Sequence, residues 1–206
     1  MLFDILALIS VLAIIILLRR MVNIFPSLMA CILRWKESVN LEASVKHSLD
    51  RDMLAIAMIL PFCLVSDRFR LYAPDFMSSL TPTLHLLLTI GVFIAYILIR
   101  ALLSKMIRPH RMQSKTYRTA DRASFTFFIV LTIILLAIGG LMSFIGTDET
   151  VIRYAMLCVS AFIYILFLIR KTQIFTSGCS FFTAFLYLCA LEIFPTGALV
   201  ASAIIF

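Results

Sequence analysis

Glu192 is the residue whose type and position in this sequence point most directly to chemistry. It is the single charged side chain between residues 181 and 206, where its neighbours are apolar, aromatic or small. Pro195 follows three residues later and lacks a backbone N–H, so in a helix the Leu191 carbonyl loses its partner beside the carboxyl group. A helix over residues 181–206 reaches about 39 Å, enough to cross the hydrocarbon core of a bilayer. The segment therefore predicts a membrane-spanning helix with one polar locus near its middle.

The polar locus includes side chains on the same helical face as Glu192. Cys189 and Thr196 lie three residues before and four residues after it, which places them on that face. The candidate intramembrane site is Glu192, Pro195, Cys189 and Thr196.

An ionised carboxylate in the middle of a bilayer is costly, so Glu192 is expected to be protonated, paired or facing a wet cavity. Ser160 and Thr132 fall at a similar depth and could hydrogen-bond a protonated acid. His85 suits the acid chemically, but it lies too close to the outer interface to reach it.

Three roles for Glu192 follow from its surroundings. A neutral acid could join the last helix to its neighbours. A proton or cation relay is the second role, because broken helices with an acid at the midplane form coupling sites in transporters. Catalysis has little support, since no metal-binding cluster, no Ser/His/Asp set at matching depth and no glycine-rich phosphate loop is visible. We expect no enzymatic activity, no metal and no cofactor.

Composition places the protein among membrane proteins. Hydrophobic residues make up 63% of its 206 residues, against about 45–50% in soluble domains. The mean hydropathy is +1.08. We predict one membrane domain over residues 1–206 and an all-α fold, an integral membrane helical bundle. The net charge of +7 belongs to loops that flank the membrane, so nucleic-acid binding is not expected.

Apolar runs predict about six transmembrane helices plus one interfacial amphipathic helix. The predicted spans cover residues 2–18, 53–66, 82–103, 123–145, 151–169 and 181–206. The run 53–66 is short and contains Pro61. It is expected to cross, because otherwise the basic loop that follows the next helix would lie outside, against the tendency of Lys and Arg to remain cytoplasmic. Gly139 and Ser143 form a small-xxx-small pair that would let another helix approach closely.

Residues 24–36 have an amphipathic pattern and are too few to span comfortably. Arg34, Trp35 and Lys36 at their end suit the headgroup region, which favours an interfacial helix. The alternative is a helix packed on the cytoplasmic ends of the bundle.

A basic loop is predicted over residues 104–124 on the cytoplasmic side. Its cations recur at steps of three and four, which places them on one helical face. They are Arg108, Arg111, Lys115, Arg118 and Arg122. This basic stripe could hold anionic lipid headgroups or an acidic partner, or it could simply fix the topology.

The distribution of charge predicts both termini outside the cytoplasm. With six spans, all but three of the 18 Lys and Arg residues lie on the cytoplasmic side. The three exceptions are Arg68, Arg70 and Arg153. They share the outer side with a larger number of acidic residues, which agrees with the positive-inside tendency.

The residues Tyr187-Leu-Cys189-Ala-Leu-Glu192-Ile-Phe-Pro195 carry a resemblance. They resemble the Y-L-C-x-L-E-x-x-P ending of a bacterial family of small multi-pass inner-membrane proteins with a domain of unknown function. The resemblance implies a bacterial inner membrane and brings no catalytic or binding role. We therefore expect a non-enzymatic accessory or assembly subunit that contacts lipid and other membrane proteins. A proton- or ion-linked transport component that uses Glu192 is the alternative.

Overall fold

The structure is a computed structural model that describes residues 2–72, 74, 80–106 and 114–205. Within these residues the chain forms α-helices and one π-helical turn, without a β-strand, so the predicted all-α class is confirmed. The helices are α1 (Leu2–Leu33), α2 (Trp35–Ala43), α3 (Val45–Ala57), α4 (Ile59–Arg68), α5 (Pro82–Met106), α6 (Ser114–Ile145), α7 (Glu149–Thr176), α8 (Phe181–Leu188) and α9 (Phe194–Ile205).

Five helical segments in the described part of the chain are long and apolar enough to cross a membrane. They are Phe3–Leu33, Pro82–Met106, Thr116–Ile145, Glu149–Thr176 and Phe181–Ala203.

The helix α1 differs from the predicted division into a span over residues 2–18 and an interfacial helix over residues 24–36. The structure continues one helix from the first region to Leu33 in the second, because arginine is a good helix former and the two arginines between the regions do not end it. Ile24, Leu28 and Cys31 are buried in a core cluster with residues of α3 and α6. The second half of α1 therefore packs against α3 and α6, and its position relative to the membrane, interfacial or on the cytoplasmic ends of the bundle, stays a prediction.

The end of α1 is held by Arg170 of α7. The Arg170 side chain donates from Nε to the Ile32 carbonyl at 2.8 Å and from Nη2 to the Leu33 carbonyl at 2.8 Å. The last carbonyls of a helix lack partners within the helix, so a guanidinium at this position satisfies them.

The helices α3 and α4 follow α6 along most of its length. Near the start of α6, Arg122 lies 3.0 Å from the Asp52 carboxylate of α3. Near its other end, a Cβ added at Gly139 would meet the Phe69 ring, just after α4, at 2.9 Å. This is the path that the predicted crossing over residues 53–66 needs, although α3 and α4 are too short to count among the five long segments. The crossing itself stays a prediction.

The helices α6 and α7 pack as an antiparallel pair. Leu135 of α6 clusters with Met156 of α7, and further along the pair Phe127 of α6 clusters with Phe167 of α7. A Cβ at Gly139 would lie 2.7 Å from the Met156 Cε, so the glycine permits the close approach that the sequence predicted. Ser143, the other member of the small-residue pair, is exposed.

The stretch predicted as a basic loop over residues 104–124 is helical wherever the structure describes it. The helix α5 continues to Met106 and α6 begins at Ser114, so the described residues of this stretch are helical. Charged residues mark the edge of the membrane, but Lys and Arg favour helix and do not mark its end.

Candidate functional site

Glu192 lies on a π-helical turn, Cys189–Ile193, that joins α8 to α9. The Phe194 N–H donates to the Cys189 carbonyl, five residues back instead of the usual four. Pro195 follows directly and cannot donate, and the wider turn coincides with this missing hydrogen bond. The irregularity predicted at Pro195 is therefore present, and the turn carries the acid.

The Glu192 carboxylate is bound by two cations from two other helices. Arg100 of α5 donates from Nε to both carboxylate oxygens at 3.1 Å and from Nη2 to Oε1 at 2.7 Å. Lys171 of α7 donates from Nζ to Oε1. The side chains of Glu192 and Lys171 are 2% and 1% exposed, and that of Arg100 is 16% exposed. We call Arg100, Lys171 and Glu192 the ion cluster.

Aromatic and hydroxyl groups surround the two cations of the ion cluster. The Lys171 Nζ lies 5.4 Å from the Phe167 ring centroid and 5.7 Å from that of Phe175, within the range of cation–π attraction. Arg100 donates from Nη1 to the Ser124 hydroxyl at 3.0 Å. Both cations therefore make contacts beyond the carboxylate.

Two tyrosines support the turn that carries Glu192. The Tyr164 hydroxyl of α7 donates to the Glu192 backbone carbonyl at 3.1 Å. The hydroxyls of Tyr96 and Thr196 share a hydrogen bond of 2.9 Å. A π-helical turn leaves backbone groups poorly aligned, and these hydroxyls fix its position against α5 and α7.

The charges of the site balance once Asp121 of α6 is included. Asp121 is linked to Arg100 through Ser124, whose hydroxyl accepts from Arg100 Nη1 at 3.0 Å and donates to the Asp121 backbone carbonyl at 2.7 Å. Two cations and two anions therefore lie in this part of the molecule. An acid bound by two cations is more stable ionised than protonated, and Glu192 is paired with both Arg100 and Lys171.

The hydrogen-bond partners expected for a protonated Glu192 are wrong. The Thr132 hydroxyl donates to the Phe128 carbonyl of its own helix at 2.8 Å, and the contacts described for the Glu192 carboxylate do not include Ser160. His85 pairs with Asp67 at 2.5 Å, as its outer position would allow. The predicted depth of each residue in the membrane was sufficient to reject His85 as a partner of Glu192. It did not identify Arg100 and Lys171, which bind the carboxylate.

Arg100 and Lys171 were missed because they were counted as flanking charges. Arg100 is the only Lys or Arg between Pro82 and Leu103, and that isolation is a signal for an intramembrane partner. Lys171 stands beside Arg170, and this pair was assigned to the cytoplasmic edge. The structure separates their roles, since Arg170 caps α1 and Lys171 turns inward to Glu192.

The described members of the basic stripe are bound to acids of α2 and α3. Arg118 Nε lies 3.0 Å from the Glu42 carboxylate, and Arg122 Nη1 lies 3.0 Å from Asp52 and 3.4 Å from Glu42. Arg51, with a side chain 3% exposed, pairs with the same two acids at 3.1 and 2.8 Å. We call these five residues the cytoplasmic network, after the side on which the sequence predicts them to lie.

Of the other residues of the basic stripe, Lys115 lies in the first turn of α6, and Arg108 and Arg111 lie outside the described residues. A ligand-binding role for the whole stripe therefore stays a prediction, while Arg118 and Arg122 have internal partners.

An apolar groove of about 360 Å³ lies between α5 and α9. It begins next to the ion cluster, because Tyr96 and Pro195 line it, and Ser202 lines it further along α9. On the same two helices, Gly91 of α5 and Gly197 of α9 are exposed without lining the groove, and a Cβ added to either would meet no atom within 4 Å. We call the exposed surface of these two helices, the groove with Gly91 and Gly197, the α5/α9 face.

The fold and the buried ion cluster define a helical membrane protein with several apolar helices. Its sequence belongs to the family of a domain of unknown function, DUF4271, whose model matches residues 4–202. A search of curated proteins found no match, and neither did a search of solved structures. The family covers nearly the whole chain and assigns it no activity.

Proposed function

We propose that this protein is a non-enzymatic accessory or assembly subunit of a complex in a bacterial inner membrane. The α5/α9 face carries this proposal. Exposed glycines let a second helix approach closely, and helices in lipid associate through such packing rather than through the hydrophobic effect. Gly91 and Gly197 offer this approach on the two helices that also form the groove, and an apolar side chain of a partner helix can enter that groove.

The ion cluster supports a structural role for Glu192 in this subunit. The carboxylate already has partners on α5 and α7, so the three elements are held together in one arrangement. A fixed arrangement of α5 and α9 also fixes the α5/α9 face, which a partner helix would need.

Purification of the tagged full-length protein from native membranes in mild detergent tests the proposal. We expect a membrane protein to be recovered in a fixed ratio. Gly91→Leu and Gly197→Leu should lower that ratio, because a leucine prevents close approach of a helix. Gly140→Leu is the matched control, since Gly140 is also exposed with open space around it but lies on α6.

Two results would contradict the proposal. Recovery of the protein without any stoichiometric partner would exclude a stable accessory subunit. Equal recovery of the partner by all three variants would exclude the α5/α9 face as the contact.

The proposed orientation places both termini outside the cytoplasm. Reporter fusions after Tyr117 and after Asp148 should report opposite sides, with Tyr117 inside. The reverse pattern would overturn the orientation without changing the fold.

A proton- or ion-linked transport component is the second candidate. The observation that favours it is a buried acid with two cations on a π-helical turn beside a proline, within an apolar helix. Intramembrane ionisable groups on interrupted helices mark ion pathways in many membrane proteins.

A further inference from the structure

One face of α5 carries every polar side chain between its residues 85 and 104. These side chains are His85, Thr89, Tyr96, Arg100 and Ser104. At about 100° per residue they fall within an arc of about 100°. The rest of α5 between them is apolar, so the polar line runs nearly the full length of a helix that is long enough to cross the membrane.

Two residues at the beginning of α5 meet one acid of α4. The His85 Nδ1 lies 2.5 Å from the Asp67 carboxylate, and the Thr89 hydroxyl donates to the same oxygen at 3.4 Å. The side chains of His85 and Asp67 are 15% and 12% exposed, so they are mostly buried but can be reached. This pair and Thr89 form the Asp67 end of the polar line.

The second half of α5 meets the ion cluster and its neighbours. Tyr96 shares a hydrogen bond with Thr196, and Arg100 binds Glu192. The Ser104 hydroxyl lies 2.8 Å from the Tyr117 hydroxyl and donates to the Asp121 carboxylate at 3.0 Å. These contacts form the Asp121 end of the polar line.

An aromatic layer separates the two ends. Between Thr89 and Tyr96, Phe93 lies edge-on to Phe62 with ring centroids 4.9 Å apart, and Tyr72 lies 6.5 Å from Phe93. Phe62 also contacts Phe128 at 5.2 Å. Three helices and the segment after α4 therefore close the polar line at this one level.

We propose that the polar face of α5 is a proton path that the Phe62–Phe93 contact keeps closed. This proposal rests on the second candidate function, proton-linked transport. It names the route that the proton takes and the aromatic contact that closes this route. One proton enters at Asp67 or His85, passes the layer on water when Phe93 moves aside, and moves along the hydroxyls of the polar line to the Asp121 carboxylate, which Ser104 contacts. The proton leaves from Asp121, Glu192 stays ionised between Arg100 and Lys171, and no group is oxidised or reduced. The accessory role is separate from this path, because its test changes Gly91 and Gly197, which are not on the polar line, although Tyr96 belongs to both the polar line and the groove.

The test uses the purified full-length protein in liposomes that contain a pH-sensitive dye. A potassium gradient with valinomycin drives protons inward, and potassium carries the compensating charge. Wild-type protein should produce a slow flux above protein-free liposomes. Phe93→Ala should increase that flux, because it opens the aromatic layer, while Phe162→Ala, a matched change at an exposed phenylalanine of α7, should not.

Asp67→Asn should return the flux of the Phe93→Ala protein to the protein-free level. His85→Gln should lower it in the same background, which gives a second variant if one fails to fold. Each variant is first compared with wild type by size-exclusion chromatography, and an aggregated variant is replaced by the other.

Two results would overturn the proton path. One is a Phe93→Ala flux no larger than that of protein-free liposomes, and the other is a flux that survives both Asp67→Asn and His85→Gln. Neither result affects recovery of a partner by the α5/α9 face, so failure of the path and failure of the accessory role are distinguishable.

Discussion

The ion cluster and the cytoplasmic network use the same chemistry in different surroundings. In each, carboxylates bind more than one cation from helices that are distant in sequence. Glu192 is 2% exposed, whereas Arg118 in the network is 60% exposed. The interaction of two charges is weakened by water and salt, and burial removes both effects.

Because of this difference in exposure, we expect the loss of one charge to affect stability differently at the two sites. A buried pair is not by itself a large gain over apolar packing, but removing one partner leaves the other charge buried and unpaired. In the cytoplasmic network, Arg118, Arg122 and Asp52 are at least partly exposed, so water can solvate them if a partner is lost. We therefore expect the ion cluster to tolerate little change and the network to tolerate more, and four variants test this contrast.

The largest effect is expected for Glu192→Leu. It leaves Lys171 and Arg100 without their carboxylate in a buried position, and such a loss costs about 3–5 kcal/mol. Thermal stability of the detergent-solubilised protein, followed by size-exclusion chromatography after heating, measures it. Replacing Lys171 with Leu in the same chain should recover part of the loss. A single Glu192→Leu protein as stable as wild type would show that the cluster does not hold these helices.

A smaller loss is expected for Glu192→Gln. The amide still accepts hydrogen bonds, but the charge that balances the two cations is gone, and we expect a loss of about 1–3 kcal/mol. Lys171→Gln together with Glu192→Gln keeps Arg100 opposite Asp121 and should be more stable than Glu192→Gln alone. If the double variant is the less stable of the two, charge balance is not the cause.

Glu42→Gln in the cytoplasmic network should cost about 1–2 kcal/mol at low salt, since one of its cations is buried and the others are partly in water. The loss should shrink at high salt, because screening already weakens these pairs in the wild type. Melting curves of both proteins at low and high potassium chloride give the comparison. A loss of stability that does not change with salt would mean that the ion pairs of Glu42 behave like those of the buried ion cluster.

The smallest effect is expected for Arg68→Gln. Its partner is Glu149 at 3.1 Å, and the two side chains are 59% and 68% exposed. Exposed pairs contribute about 0–1 kcal/mol, so the variant should melt within error of wild type. A loss of stability as large as that of Glu42→Gln would mean that solvent exposure does not determine how much each ion pair contributes to stability.

Local patterns in the sequence predicted the all-α fold and the apolar character of the helices. Composition and run length are sufficient for that, since both depend only on the solvent around each helix. Helix ends were predicted less well, as at residues 19–20 and 104–124. At both places the charged residues were interpreted as the end of a helix, although such residues indicate only where the membrane ends.

The partners of Glu192 could not be selected from the sequence. Arg100 is 92 residues away and Lys171 is 21 residues away along the chain. Their contact depends on how three helices tilt and rotate, which packing decides. The acid itself was evident because a charge in an apolar helix is unusual, whereas Lys171 was hidden beside Arg170 at a helix end.

The order in which the helices are made gives Glu192 a further consequence. During synthesis α5 and α7 leave the ribosome before α8 and α9, so Arg100 and Lys171 reach the bilayer before their carboxylate exists. A Lys or Arg in an isolated membrane-spanning helix raises the insertion free energy of that helix, by about 2.5–3.5 kcal/mol at the centre and by less towards the ends, where Arg100 and Lys171 lie. A nascent chain stalled before residue 181 already contains Asp121, so one of its two positive charges would lack a balancing carboxylate until the last helix arrives.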